Sequence, residues 1–174
     1  PEEVSAMSNS IRRTLILLSL AVAIAAAAPG LAPAAHEEEA GVARVSFVDG
    51  DASYFRADGK DWTGVGVNAP MVTGDRFYTA EGSRAEIQLA PATELRLAGN
   101  TQVDMLELAP DAVQVRVGSG VSILRLRRLR EGVHVELSTP TAALVPREGG
   151  VYRVEVSQDG DATVQVREGA AWVY

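Results

Sequence analysis

From Val42 onward, apolar and polar positions alternate with a period of two. Val113, Val115 and Val117 are separated by Gln114 and Arg116, and Val133, Val135 and Leu137 by His134 and Glu136. Tyr152, Val154 and Val156 share one face, with Arg153 and Glu155 on the other. Shorter runs repeat the pattern around Gln88, Arg96 and Gln165. Successive side chains of a strand point to opposite faces, so this pattern predicts half-buried antiparallel strands. After Ala40 no stretch keeps an apolar stripe at helical spacing. Turn signals separate the runs: Asp49-Gly50, Asp58-Gly59, Glu81-Gly82, Gly99-Asn100, Pro110-Asp111, Gly118-Ser119-Gly120, Glu131-Gly132, Gly149-Gly150, Asp159-Gly160 and Glu168-Gly169. The expected fold is all-β, with about twelve short strands in an antiparallel two-layer sandwich or an elongated β-roll.

The first 40 residues break the alternation. Met7 is followed by Arg12 and Arg13, an apolar run from Leu15 to Ala28, and the small-residue stretch Ala32-Pro33-Ala34-Ala35. This is the order of a secretory signal peptide. A helix over that run would cover only ~21 Å of a ~30 Å hydrocarbon layer, which favours a cleaved leader over a membrane anchor. The expected organisation is upstream residues and a helical signal peptide over 1–34, a flexible charged arm over 35–41, and one β domain over 42–174. The membrane would be met only through the leader, were it left uncleaved. Alternation still runs at Tyr174, so the domain is expected to continue past it.

Composition narrows the chemistry. The chain has 174 residues, 16 Lys+Arg against 23 Asp+Glu and a net charge of -7, so no basic surface draws it to nucleic acid. It has no cysteine, which excludes disulfides, thiol catalysis and thiolate metal sites. Aromatic residues are 5%, which argues against a stacking platform and assigns Trp62 and Trp172 to the core or to covering an edge. His134 is the one histidine in the β region, and its place in an alternating run puts it on a polar face rather than in a triad. The terminal run His36-Glu37-Glu38-Glu39 is read as solvated, not as a metal clamp. Asp49-Gly50-Asp51-Ala52 recurs as Asp159-Gly160-Asp161-Ala162, which is read as two turns sharing one chemistry, without the regular oxygen ligands of a calcium loop. No catalytic, cofactor or metal residue is assigned.

Several segments in order resemble the FecR-type domain of bacterial envelope proteins: Val42–Gly50, Trp62, Pro70, Gly74–Thr79, Arg84–Leu89, Thr139–Ala142, Gly150–Val154 and Thr163–Gly169. The resemblance implies an all-β, non-enzymatic domain in the periplasm or at the cell surface. In signalling members such a domain relays a transporter's state to a sigma factor, and a cytoplasmic segment and a membrane helix precede it. Here an export signal precedes it directly, which places the chain with exported, stand-alone members.

The densest charge cluster runs from Arg125 to Arg130. Arg125, Arg127, Arg128 and Arg130 are the candidate partner-binding residues, because guanidinium groups make bidentate contacts with carboxylate and phosphate. The competing reading makes them the polar face of a strand, with Leu124 and Leu126 inward. The expected function is an interaction module with an unidentified envelope protein as partner; the alternative is a binding module for a cell-wall or surface polymer. Expressed in a bacterium with its leader, the chain should leave the cytoplasm and begin at Ala35, as read by intact mass; a cytoplasmic chain retaining Met7 would refute export.

Overall fold

The computed structural model describes residues 41–174. The expected signal peptide, its cleavage site and His36–Glu39 lie outside the described residues. Within them the chain forms fourteen strands and no helix. In chain order they are β1 (Ala43–Asp49), β2 (Ala52–Phe55), β3 (Thr63–Gly64), β4 (Pro70–Met71), β5 (Arg76–Thr79), β6 (Arg84–Ala90) and β7 (Thr93–Leu97). Then follow β8 (Thr101–Leu108), β9 (Ala112–Leu126), β10 (His134–Ser138), β11 (Ala143–Pro146), β12 (Gly150–Val156), β13 (Ala162–Glu168) and β14 (Ala171–Val173).

The strands make two sheets joined through β9, the longest strand. The first sheet runs β4-β1-β6-β7-β9-β12-β13 and the second β3-β2-β5-β8-β9-β10-β11-β14. Residues 112–119 of β9 pair with β8 and β10, and residues 120–126 pair with β7 and β12. The sequence predicts a turn at Gly118-Ser119-Gly120. Instead these residues bend a continuous strand from one sheet into the other. Gly120 has a φ of +84°, and a Cβ on it would lie 2.4 Å from Thr101 Oγ1 and 2.5 Å from Asn100 O. Only glycine fits such a corner.

Three other chain segments change sheet beside this bend: β1 to β2, β5 to β6 and β7 to β8. Strands that diverge at a corner leave backbone groups without a ladder partner. Buried hydroxyls take their place. Thr101 Oγ1 accepts from Val121 N at 3.0 Å, Ser83 Oγ accepts from Asp51 N at 2.8 Å, and Thr79 Oγ1 donates to Ala98 O.

The pairing is antiparallel except for β9 with β10, which is parallel, with Val135 opposite Val113 and Leu137 opposite Val115. The reason is topological. The second half of β9 lies in the first sheet, so the chain returns through residues 127–133 to enter beside the start of β9, and such a crossover brings strands in parallel. The duplicated Asp-Gly-Asp-Ala motif serves two ends: Gly50 turns the chain between sheets, and Gly160 closes the β12–β13 hairpin within one. The β6–β7 hairpin turns on Ala92, whose φ of 68° no sequence signal marks.

The inward faces of both sheets form one core. Ile87, Leu95, Val115, Leu124, Leu137 and Tyr152 are buried, each on a position the sequence reading assigns inward or on a strand it predicts, and Phe77 joins them from β5. Tyr152 also acts as a buckle. Its hydroxyl lies 2.8 Å from Glu148 O and 3.0 Å from Ala170 O, spanning the two corners that lead into β12 and β14.

Gly82 also has a left-handed φ, but a Cβ there would meet nothing within 4 Å. Gly82→Ala should cost about 1–2 kcal/mol, the backbone penalty alone. Gly120→Ala adds overlap with Thr101 and Asn100 and should cost at least about 3 kcal/mol. Denaturant unfolding of the two variants measures the difference.

Candidate functional site

The arginine cluster begins on the outer face of the first sheet and continues into the loop after β9. Leu124 and Leu126 point inward and are buried, while Arg125, Arg127, Arg128 and Arg130 are exposed. The four do not form one surface. Arg125 and Arg127 line a shallow cleft of about 340 Å³ with Gly149, Gly150, Val151 and Glu168. Arg128 and Arg130 line a separate depression with Pro91 and Pro110.

Two of the four are held by neighbours. Arg127 Nη2 donates to Glu94 Oε1, and Arg130 Nη2 donates to Pro110 O at 3.0 Å. Glu94 is buried on β7, and Arg96 approaches its other oxygen at 3.7 Å. Arg96 Nε donates to Glu86 Oε2 at 2.9 Å, and Ser46 Oγ donates to Glu86 Oε1 at 2.9 Å. A charge lattice therefore crosses β9, β7, β6 and β1. Burial alone would raise the Glu86 pKa, but the hydrogen bonds from Arg96 and Ser46 and the fields of Arg96 and Arg125 outweigh it and hold the carboxyl below its ordinary value. Among the described residues, Arg125 and Arg128 make no side-chain hydrogen bond or ion pair. Reversing charge at Arg127 would leave a buried carboxylate facing another, so Arg128 is the cleaner position for probing a partner.

Two further polar side chains, His134 and Asp75, are accounted for locally. His134 Nε2 lies 3.2 Å from Glu136 Oε2 on the exposed face of β10. Asp75 is buried; its carboxylate accepts from Ala57 N at 3.0 Å, Val72 N at 3.0 Å and Arg56 Nη1 at 2.7 Å, pinning the Val72–Asp75 turn that contains Gly74. Among the described residues no three histidine or acidic side chains are grouped to hold a metal ion.

The outer face of the second sheet carries what sequence reasoning missed. Phe55 and Tyr78 point outward from β2 and β5, and Trp62 packs edge-on against both, at 5.9 and 6.4 Å between ring centroids. The Arg76 guanidinium lies 4.4 Å from the Phe55 ring centroid. Trp62 is 42% exposed, so it covers the outside of this edge instead of filling the core. Beyond Tyr78 lies a groove of about 570 Å³ lined in part by Asn100, Ser119 and Gln158. Composition counted few aromatics and could not show that three of them gather on one face.

The four sheet edges differ. Strands β3 and β4 close one end with two residues each. At the other end β13 pairs only with β12, and β14 only with β11, among the described residues.

A family model described as FecR protein matches residues 75–171, more than half of the chain. The chain belongs to the FecR family. Neither a curated protein nor a solved structure matches it. Membership is consistent with envelope signalling, and proteins of this family are typically envelope-associated and generally non-enzymatic regulators. The FecR match begins just before β5 and includes β9, the arginine cluster and β13. Phe55 and Trp62 precede it, as do Val42–Gly50 and Pro70 of the sequence resemblance, although β1 is paired on both sides within the FecR fold.

Because the Glu86 pKa is lower in the folded than in the unfolded chain, its stabilisation is complete above the unfolded value and is lost as pH falls through the folded one. Arg125→Gln should raise the Glu86 pKa toward the ordinary carboxylate range and move that loss to higher pH, as an NMR titration of the Glu86 side chain would show.

Proposed function

We propose that this FecR domain is a non-enzymatic protein-interaction module of the bacterial envelope, periplasmic or at the cell surface, that serves signalling or scaffolding. The observation that carries the reading is the β14 edge of the second sheet, a strand paired only with β11 among the described residues. Trp172, Val173 and Tyr174 are 52%, 51% and 74% exposed, and Arg147 stacks 4.6 Å from the Trp172 ring centroid. Ala143 and Tyr174 exchange both backbone hydrogen bonds, at 3.2 and 3.0 Å. Pairing alternates in an antiparallel ladder, so Val173 turns its N–H and C=O away from β11. An edge with free backbone groups and large apolar side chains is a template for a strand from another protein. The Arg125–Arg127 cleft borders the Gly149-Gly150 corner that follows β11 and supplies positive charge at the rim, which steers encounter more than it adds affinity.

A second reading, a binding module for a wall or surface polymer, draws support from the Trp62 cluster and its neighbouring groove. The two separate in one set of variants. A photo-crosslinking residue at Trp172, in the native host, should trap one envelope protein. Val173→Pro, which removes an outward donor and spares the β11 ladder, should reduce that adduct at least about tenfold. Trp62→Ala should leave it unchanged. No adduct at Trp172, together with polysaccharide binding in affinity gels that Trp62→Ala abolishes, would favour the polymer instead.

A further inference from the structure

We infer that β13 is a self-complementary edge that pairs with β13 of a second copy of this chain, extending the first sheet across a two-fold axis at Val164. This is the edge of the first sheet; it leaves β14 free and does not depend on the partner proposed above.

Three observations carry it. The first is an uncovered inner face. Val164 and Val166 lie opposite Val154 and Tyr152 on β12, which are fully buried, yet Val166 is 43% exposed. Among the described residues the apolar layer therefore thins past β12: Val164 is only partly buried against the core and Val166 is exposed. The second is the direction of the backbone groups. Ser157 N donates to Asp161 O at 2.9 Å, which fixes the alternation of the hairpin. Thr163 and Gln165 then direct their backbone groups to β12, and Ala162, Val164 and Val166 direct theirs to the free side. A ladder shift between Val151 and Tyr152 ends the regular stretch after Val166.

The third is complementarity. Antiparallel pairing centred on Val164 sets Ala162 against Val166 and Val164 against itself, so every outward N–H and C=O of the regular stretch finds a partner. On the outer face Thr163 meets Gln165. At each end Asp161 of one copy comes beside Arg167 of the other, so opposite charges meet and like charges do not. A symmetric, isologous interface requires this self-matching. The ladder shift lies beyond Val166, and between Ala162 and Val166 the strand lacks the other usual guards of an edge. It contains no proline, lysine or inward charge between Ala162 and Val166, and the only lysine in the chain is Lys60. So short an interface belongs with weak, reversible associations.

The absence of cysteine provides the test. Thr163 and Gln165 form the close, non-hydrogen-bonded pair across the axis, where Cα atoms sit about 4.5 Å apart, within disulfide reach. Mixing purified Thr163→Cys with purified Gln165→Cys under mild oxidation should give a disulfide-linked dimer at least about tenfold faster than either variant alone. Sedimentation of the unmodified chain should show a monomer–dimer equilibrium in the micromolar range, and Val166→Lys, with an unchanged β-sheet circular dichroism spectrum, should abolish it. A mixture that crosslinks no faster than its components, a chain monomeric at millimolar concentration, or a dimer that survives Val166→Lys would each overturn the inference.

Discussion

The membership of β9 in both sheets is the constraint on which the other elements depend. One strand of fifteen residues cannot serve two layers unless its backbone bends within a residue or two, and the bend occurs where Gly120 holds a φ that side chains disfavour. Once β9 turns, its two halves dictate their neighbours: β8 and β10 beside the first, β7 and β12 beside the second. The parallel β9–β10 pair and the buried hydroxyls of Thr79, Ser83 and Thr101 are consequences of that turn. They repair what a shared strand leaves unpaired.

The electrostatics follow from the same geometry. In a chain with net charge -7, six residues that include four arginines look like a site for an anion or a partner. Folding places Glu94 on β7 directly across from Arg125, within reach of Arg127 and Arg96. Part of the cluster is thereby spent within the first sheet, Arg127 on its ion pair with Glu94 and Arg125 on the field that helps hold the Glu86 carboxyl below its ordinary value. What remains for another molecule is Arg125 and Arg128, on separate depressions and not on one patch.

The two ends of the fold differ in how they meet solvent. Two-residue strands close one end and offer almost no ladder to extend. The β13–β14 end presents longer edges, exposed valines and a tryptophan. That asymmetry is consistent with the envelope signalling to which FecR membership points.

The sequence determined the fold class, most strand positions and the inward residues, because a period of two is a local property of the backbone and burial follows it directly. Val113, Val115, Leu124, Leu137, Tyr152 and Val154 are all core residues that alternation identifies. It also determined the family through ordered segments such as Gly74–Thr79 and Gly150–Val154. Tertiary structure alone decided which strand is shared, which pair is parallel and where the edges fall, since these depend on contacts between residues far apart in the chain. Gly118-Ser119-Gly120 has the composition of a hairpin turn; only the neighbouring Thr101 and the two sheets make it a bend within a strand. The site divides in the same way. Arg125 to Arg130 is legible as a cluster because its charges are consecutive. The pairing of Arg127 with Glu94, thirty-three residues away, and the gathering of Phe55, Trp62 and Tyr78 on one face arise only when the sheets form.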